Sequence, residues 1–140
     1  MIKRTLACAP LILLGLAGSG CSQDDVAFIG PENNPVLVNV TDTLSYSASG
    51  LDNVNQTFTW TWNNTGTKAT IVYTKENLVP HGLTYLTVTD PNGTVVYYFN
   101  IQLFWNEVQY SDSGAPGAWT VNLGLFGTTG DLDFHLIGTP

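Results

Sequence analysis

Asp131, Asp133 and His135 stand at i, i+2 and i+4 near the end of the chain. In an extended strand that spacing turns all three to one side, while Leu132, Phe134 and Leu136 turn to the other. Two carboxylates and an imidazole on one face could ligate an ion. Oxygen ligands suit Ca²⁺, and a histidine with two carboxylates suits Zn²⁺ or another transition ion. Side chains two apart on one strand are about 7 Å from each other, so sharing an ion would need a loop partner. The expectation is a solvated polar face, with Ca²⁺ binding as the alternative. His81, in Val79-Pro80-His81-Gly82, reads as a surface residue of a turn. No Gly-x-Ser-x-Gly elbow presents a serine nucleophile. The two cysteines, Cys8 and Cys21, both lie in the first 21 residues. This inventory predicts a protein that is not an enzyme. The alternative is a carbohydrate-active or metal-dependent hydrolase using the Asp131/Asp133/His135 strand.

Aromatic side chains offer a second kind of chemistry, stacking against a ligand. Phe58, Trp60 and Trp62 occupy every second position of a strand-like stretch whose intervening residues are Thr57, Thr59 and Thr61. Burying a large apolar side chain is worth roughly 1.5–3 kcal/mol, so the aromatic face is expected inside and the threonines outside. Trp119, Val121, Leu123 and Leu125 form a matching apolar face opposed by Thr120, Asn122 and Gly124. Trp105 does not fit such a pattern, since it shares its parity with Leu103, Glu107 and Gln109. Tyr97 and Tyr98 are adjacent and must point to opposite faces. Trp105 with Tyr97 or Tyr98 is therefore the expected ligand-binding aromatic patch.

The N-terminal segment is a targeting signal. Lys3 and Arg4 precede the apolar run Leu11-Ile12-Leu13-Leu14-Gly15-Leu16-Ala17, and small residues follow. The run is shorter than the roughly 20 residues a membrane span needs. Ala17-Gly18-Ser19-Gly20-Cys21 resembles the lipobox of bacterial lipoproteins, with Gly18 where leucine is usual. That resemblance implies a lipid on Cys21, which becomes the mature N-terminus. Ser22, in place of the aspartate that retains such proteins on the inner membrane, points to the outer membrane in a Gram-negative cell. Residues 1–20 are thus the signal, 21–35 a polar tether and 36–140 the domain.

Without residues 1–20, Lys68 and Lys75 stand against 11 acidic residues, a net charge of −9, and no arginine remains. Nucleic acid is excluded as a partner, because displacing phosphate counterions takes basic groups. Phosphate-handling chemistry, which relies on Arg or Lys clamps, is disfavoured in the same way. Contact with a membrane has to come from the lipid anchor.

From Val36 onward the period is two. Nine strands are expected: Val36–Val40, Thr43–Ala48, Thr57–Trp62, Lys68–Thr74, Leu83–Thr89, Thr94–Ile101, Leu103–Tyr110, Ala118–Phe126 and Leu132–Ile137. Hairpins are expected at Asn63-Asn64-Thr65-Gly66, Asp90-Pro91-Asn92-Gly93 and Gly127-Thr128-Thr129-Gly130. Many short strands with such punctuation predict an all-β fold, an antiparallel β-sandwich. The stretches LTVTDPNGTVVYYF, GAPGAWTVNL and GDLDFHL are similar to the C-terminal half of bacterial pre-peptidase domains and related jelly-roll sandwiches. That similarity implies a jelly-roll-like accessory domain without catalysis. The function expected is non-catalytic binding or structure at the cell envelope, with an envelope protein or a polysaccharide as partner and no obligatory cofactor.

Overall fold

The computed structural model describes residues 27–76, 78, 82–101 and 107–140. A 3-10 turn at Pro31–Asn33 leads into β1 (Val36–Val40), β2 (Thr43–Asn64) and β3 (Lys68–Glu76). β4 (Leu83–Thr89), β5 (Val95–Asn100), β6 (Glu107–Tyr110) and β7 (Gly117–Thr139) follow. All seven strands pair antiparallel, and no α-helix occurs among the described residues. The β-branched and aromatic residues that dominate these stretches favour a half-buried pleated surface over a helix.

β7 is the centre of the sheet. Along one edge it pairs with β2 from Gly117 opposite Asn64 to Ile137 opposite Thr43. Its other edge is divided: β4 lies against Thr120–Phe126 and β3 against Asp131–Thr139. β5 extends β4, β6 extends β3, and β1 extends the first part of β2 as an edge strand exposed along its length.

Two strands, rather than four, make the long central ladder, which is why seven strands stand among the described residues where nine were expected. Thr43–Ala48 and Thr57–Trp62 are two ends of β2, and Ala118–Phe126 and Leu132–Ile137 are two ends of β7. Between them the ladder bends through register shifts at Ala48/Leu51, Leu51/Val54 and Val54/Asn55. Gly127–Gly130 is part of that bend inside β7, not a hairpin. Positive φ at Gly127 (65°) and Gly130 (117°) kinks the strand without breaking its pairing to β2. Asn63–Gly66 likewise does not join paired strands: it carries the chain from β2 to β3, which lie on opposite edges of β7. Asp90–Gly93 does form the expected hairpin. Gly93 N–H donates to Asp90 O at 3.0 Å, and the Asp90 carboxylate accepts from the N–H groups of Asn92, Thr94 and Ala115. Those bonds hold its carboxyl below the ordinary range, the Ala115 bond contributing most.

The bend brings the two ends of β2 into contact through their inward rings. Tyr46 lies 5.5 Å from Phe58 and 5.2 Å from Trp60, and Trp60 lies 6.2 Å from Phe134. Trp62 and Trp119 are fully buried and meet edge to face at 5.8 Å. Phe58 and Trp60 are half-buried against the same core, and Thr57, Thr59 and Thr61 face water. The alternation therefore points the aromatic row inward, as expected.

The N-terminal arm also belongs to the domain. Ala27 bridges Val54, Asn55 N–H donates to Ala27 O, and Ile29 N–H donates to the Gln56 side chain. Asn33 Nδ2 donates to the carbonyls of Ser49 and Gly50 at the bend. Of the segment read as a tether, only residues 21–26 precede this packed arm, and they lie outside the described residues.

Candidate functional site

The end of β7 that carries Asp131, Asp133 and His135 pairs with β2 on one side and β3 on the other. Asp133 stands opposite Ser47 and Thr74, and His135 opposite Ser45 and Val72. All three side chains share the outward face, since Leu132, Phe134 and Leu136 are buried beneath them. His135 Nε2 is 2.9 Å from Asp133 Oδ1, and Asp131 Oδ1 accepts the Gly50 N–H at 2.6 Å. Asp131 is thus drawn toward the bend and Asp133 toward the histidine. Among the described residues no three His, Cys, Asp or Glu side chains are grouped to hold a metal ion. Asn34, Ser47, Ser49, Thr74, Asp131 and Asp133 instead line an open cleft of about 380 Å³ beside β1.

The aromatic candidates separate. Trp105 and His81 lie outside the described residues, as does Cys21. Tyr97 is buried, and its hydroxyl donates to Gln109 Oε1 at 2.8 Å, which removes it from any surface patch. An irregularity between Val88 and Thr89 lets both Val96 and Tyr97 turn inward and sends Tyr98 out. Tyr98 is 61 % exposed.

Its companions come from β4 and β7. The Tyr85 ring lies 6.2 Å from Tyr98 and 5.9 Å from Phe126, nearly parallel to the latter at 19°. Tyr85 pairs with Gly124 across the β4–β7 ladder, and Leu83 pairs with Phe126. Gly124 is what lets the Tyr85 ring lie across β7. A Cβ there would clash with the Tyr85 ring and its hydroxyl. Three rings from three adjacent strands thus follow a diagonal over the outward face. Beside them stand Thr57, Thr59, Thr87 and Asn122, and Thr59 Oγ1 donates to Asn122 Oδ1 at 2.7 Å. The outward positions of β4, β5, β2 from Val54 to Asn64 and β7 from Gly117 to Thr128 carry no charged residue.

Tyr85 and Phe126 are the members that pattern reading overlooks, yet each left a sign. Phe126 has the parity of Thr120, Asn122 and Gly124, an aromatic out of place on a polar face. A glycine inside an apolar strand marks the close approach of another group. No family model matches the chain, and no curated protein matches it.

Proposed function

We propose that this chain is an exported bacterial lipoprotein, anchored through Cys21 in the cell envelope and, in a Gram-negative cell, in the outer membrane. Its domain is a jelly-roll-like β-sandwich that binds an envelope protein or polysaccharide without catalysis. The charged start, apolar run and lipobox-like Gly18-Ser19-Gly20-Cys21 support export and lipidation. The bend, with one core shared by both halves of the sheet, supports the sandwich. The binding role is carried by one observation: a contiguous cluster of rings, Tyr85, Tyr98 and Phe126, left toward water on an uncharged face. Scattered surface apolar residues need no explanation, but a clustered patch marks a contact site.

Anchoring also sets the reach of that site. Ala27 is already bonded to the domain, so the five residues between it and Cys21 span at most roughly 18 Å when fully extended. The partner must lie close to the membrane that holds the lipid. Two variants test the proposal. Cys21→Ser is expected to move the protein from the membrane pellet to the soluble exported fraction, and retention in the pellet refutes the anchor. Tyr98→Ala with Phe126→Ala is expected to lose the envelope component that the parent chain retains in a pull-down. Equal retention refutes the binding face.

One observation favours a hydrolase as the second reading: the cleft is lined by Asp131 and Asp133, with His135 bonded to the latter. Hydrolysis of an envelope polymer that disappears in Asp131→Asn and Asp133→Asn would establish it in place of the first.

A further inference from the structure

The two outward faces of the sheet differ in chemistry. The half formed by β1, β3, β6 and the joined ends of β2 and β7 carries Asp131, Asp133 and His135 at its centre. The half formed by β4, β5 and the other ends of β2 and β7 carries rings, hydroxyls and amides, and no charge. An ionic partner of either sign finds nothing to pair with on the second face. A polyanion would also approach a molecule whose residues 21–140 carry a net charge of −9 and no arginine.

We propose that this second face binds an uncharged polysaccharide, with Tyr98, Tyr85 and Phe126 stacking on its sugar rings and Thr57, Thr87 and Asn122 bonding its hydroxyls. The inference rests on the non-catalytic binding role proposed above and specifies its partner. A pyranose ring presents an apolar C–H face and a rim of hydroxyls that both donate and accept. The protein face offers the complement of each. Aromatic planes have an electron-rich face that attracts polarised C–H groups. Threonine hydroxyls donate and accept, and the Asn122 oxygen is already engaged by Thr59, which leaves its Nδ2 to donate outward. Threonine is also stiff at χ1, so little side-chain freedom is lost on binding. Three rings in steps of 5.9 and 6.2 Å across adjacent strands match a chain of sugars better than one monosaccharide. Tyr85 joins the other two: its ring lies over Gly124, 6.2 Å from Tyr98 and 5.9 Å from Phe126.

The test is native affinity electrophoresis of the full-length protein in mild detergent. Gels contain a neutral β-glucan, a neutral α-glucan, a galactomannan or, as anionic control, alginate. At least one neutral polymer is expected to retard the protein, equally at low and high salt, because no charge pair takes part. Tyr98→Ala is expected to weaken that retardation about tenfold in Kd, the scale of one lost ring stack. Tyr110→Ala removes a tyrosine that is 71 % exposed outside this face, and is expected to change nothing. Thr87→Ala serves as the second face variant should Tyr98→Ala fold poorly, as judged by near-ultraviolet circular dichroism. Retardation by alginate in preference, or equal loss in Tyr110→Ala, overturns the proposal. So does capture of an envelope protein through this face with no neutral polymer retarded, although the binding role then stands. If neither polymer nor protein depends on the face, both readings fall.

Discussion

Tyr46 shows how much a single buried group can report. It is 4 % exposed, enclosed by Phe58, Trp60 and Phe134, and its hydroxyl has no hydrogen-bond partner among the described residues. Leaving a buried hydroxyl unpaired costs about 1–3 kcal/mol, and the same burial pushes the phenol up to about 12 from 10.0. Tyr46→Phe keeps the ring and drops the unpaired group. The expected outcome is a gain of about 1 kcal/mol in urea unfolding at neutral pH. The sign at alkaline pH follows from the raised pKa. The folded state holds its proton above pH 10.0, where the unfolded chain releases it, so this residue's contribution is whole below that pH and falls as pH rises toward about 12. The variant lacks that fall, and a substantial loss of stability instead would show that the hydroxyl is bonded. At this scale the sequence was partly readable. Parity alone required one of Tyr97 and Tyr98 to face out, but only the irregular β4–β5 pairing decides that it is Tyr98. Tyr85 meets Phe126 through a cross-strand register that no local pattern contains.

The elements show why strand positions were legible and strand connections were not. Alternation within Thr57–Trp62 and Trp119–Leu125 is local, because each residue's burial follows its parity on a pleated strand. Gly127–Gly130 looks like a hairpin because glycine permits positive φ in a turn and in a kinked strand alike. Only the long β2–β7 pairing, set by distant contacts, distinguishes the two. Asn53 (φ 49°) and Gly50 (φ 59°) supply the corresponding kinks on β2. Gly50 isolates the cost of this conformation, since a Cβ added there would meet nothing within 4 Å. Gly50→Ala is therefore expected to destabilise by about 1–2 kcal/mol, the cost of a left-handed backbone for a residue with a Cβ. Gly50→Asn should cost less, because asparagine tolerates that region. Chemical denaturation of the three chains checks the order. Equal stability of Gly50→Ala and the parent would mean that the bend does not need this conformation.

The whole molecule is governed by its charge and by where that charge sits. Eleven carboxylates against two lysines after residues 1–20 leave an excess of negative charge that cannot be neutralised internally. Self-repulsion of this kind opposes compactness and extends about one Debye length, roughly 10 Å at 0.1 M salt and 3 Å at 1 M. Among the described residues the carboxylates lie off the ring-bearing face, and the domain meets anionic surfaces unfavourably, which accords with the proposal that attachment is through the lipid and recognition through uncharged contacts. The same repulsion makes stability depend on salt. Raising sodium chloride from very low to about 0.1 M is expected to raise the melting temperature, most of the gain arriving while the Debye length is still longer than the spacing between carboxylates. Restricting the comparison to this low range separates screening from the general salting-out that strengthens apolar burial at high salt. Lowering the pH toward the carboxylate range at low salt should reduce the salt dependence, because protonation removes the charges being screened. A melting temperature that is flat or falls over the low-salt range would show that repulsion among the carboxylates is not what limits the fold. The charge argument for an uncharged partner would weaken with it.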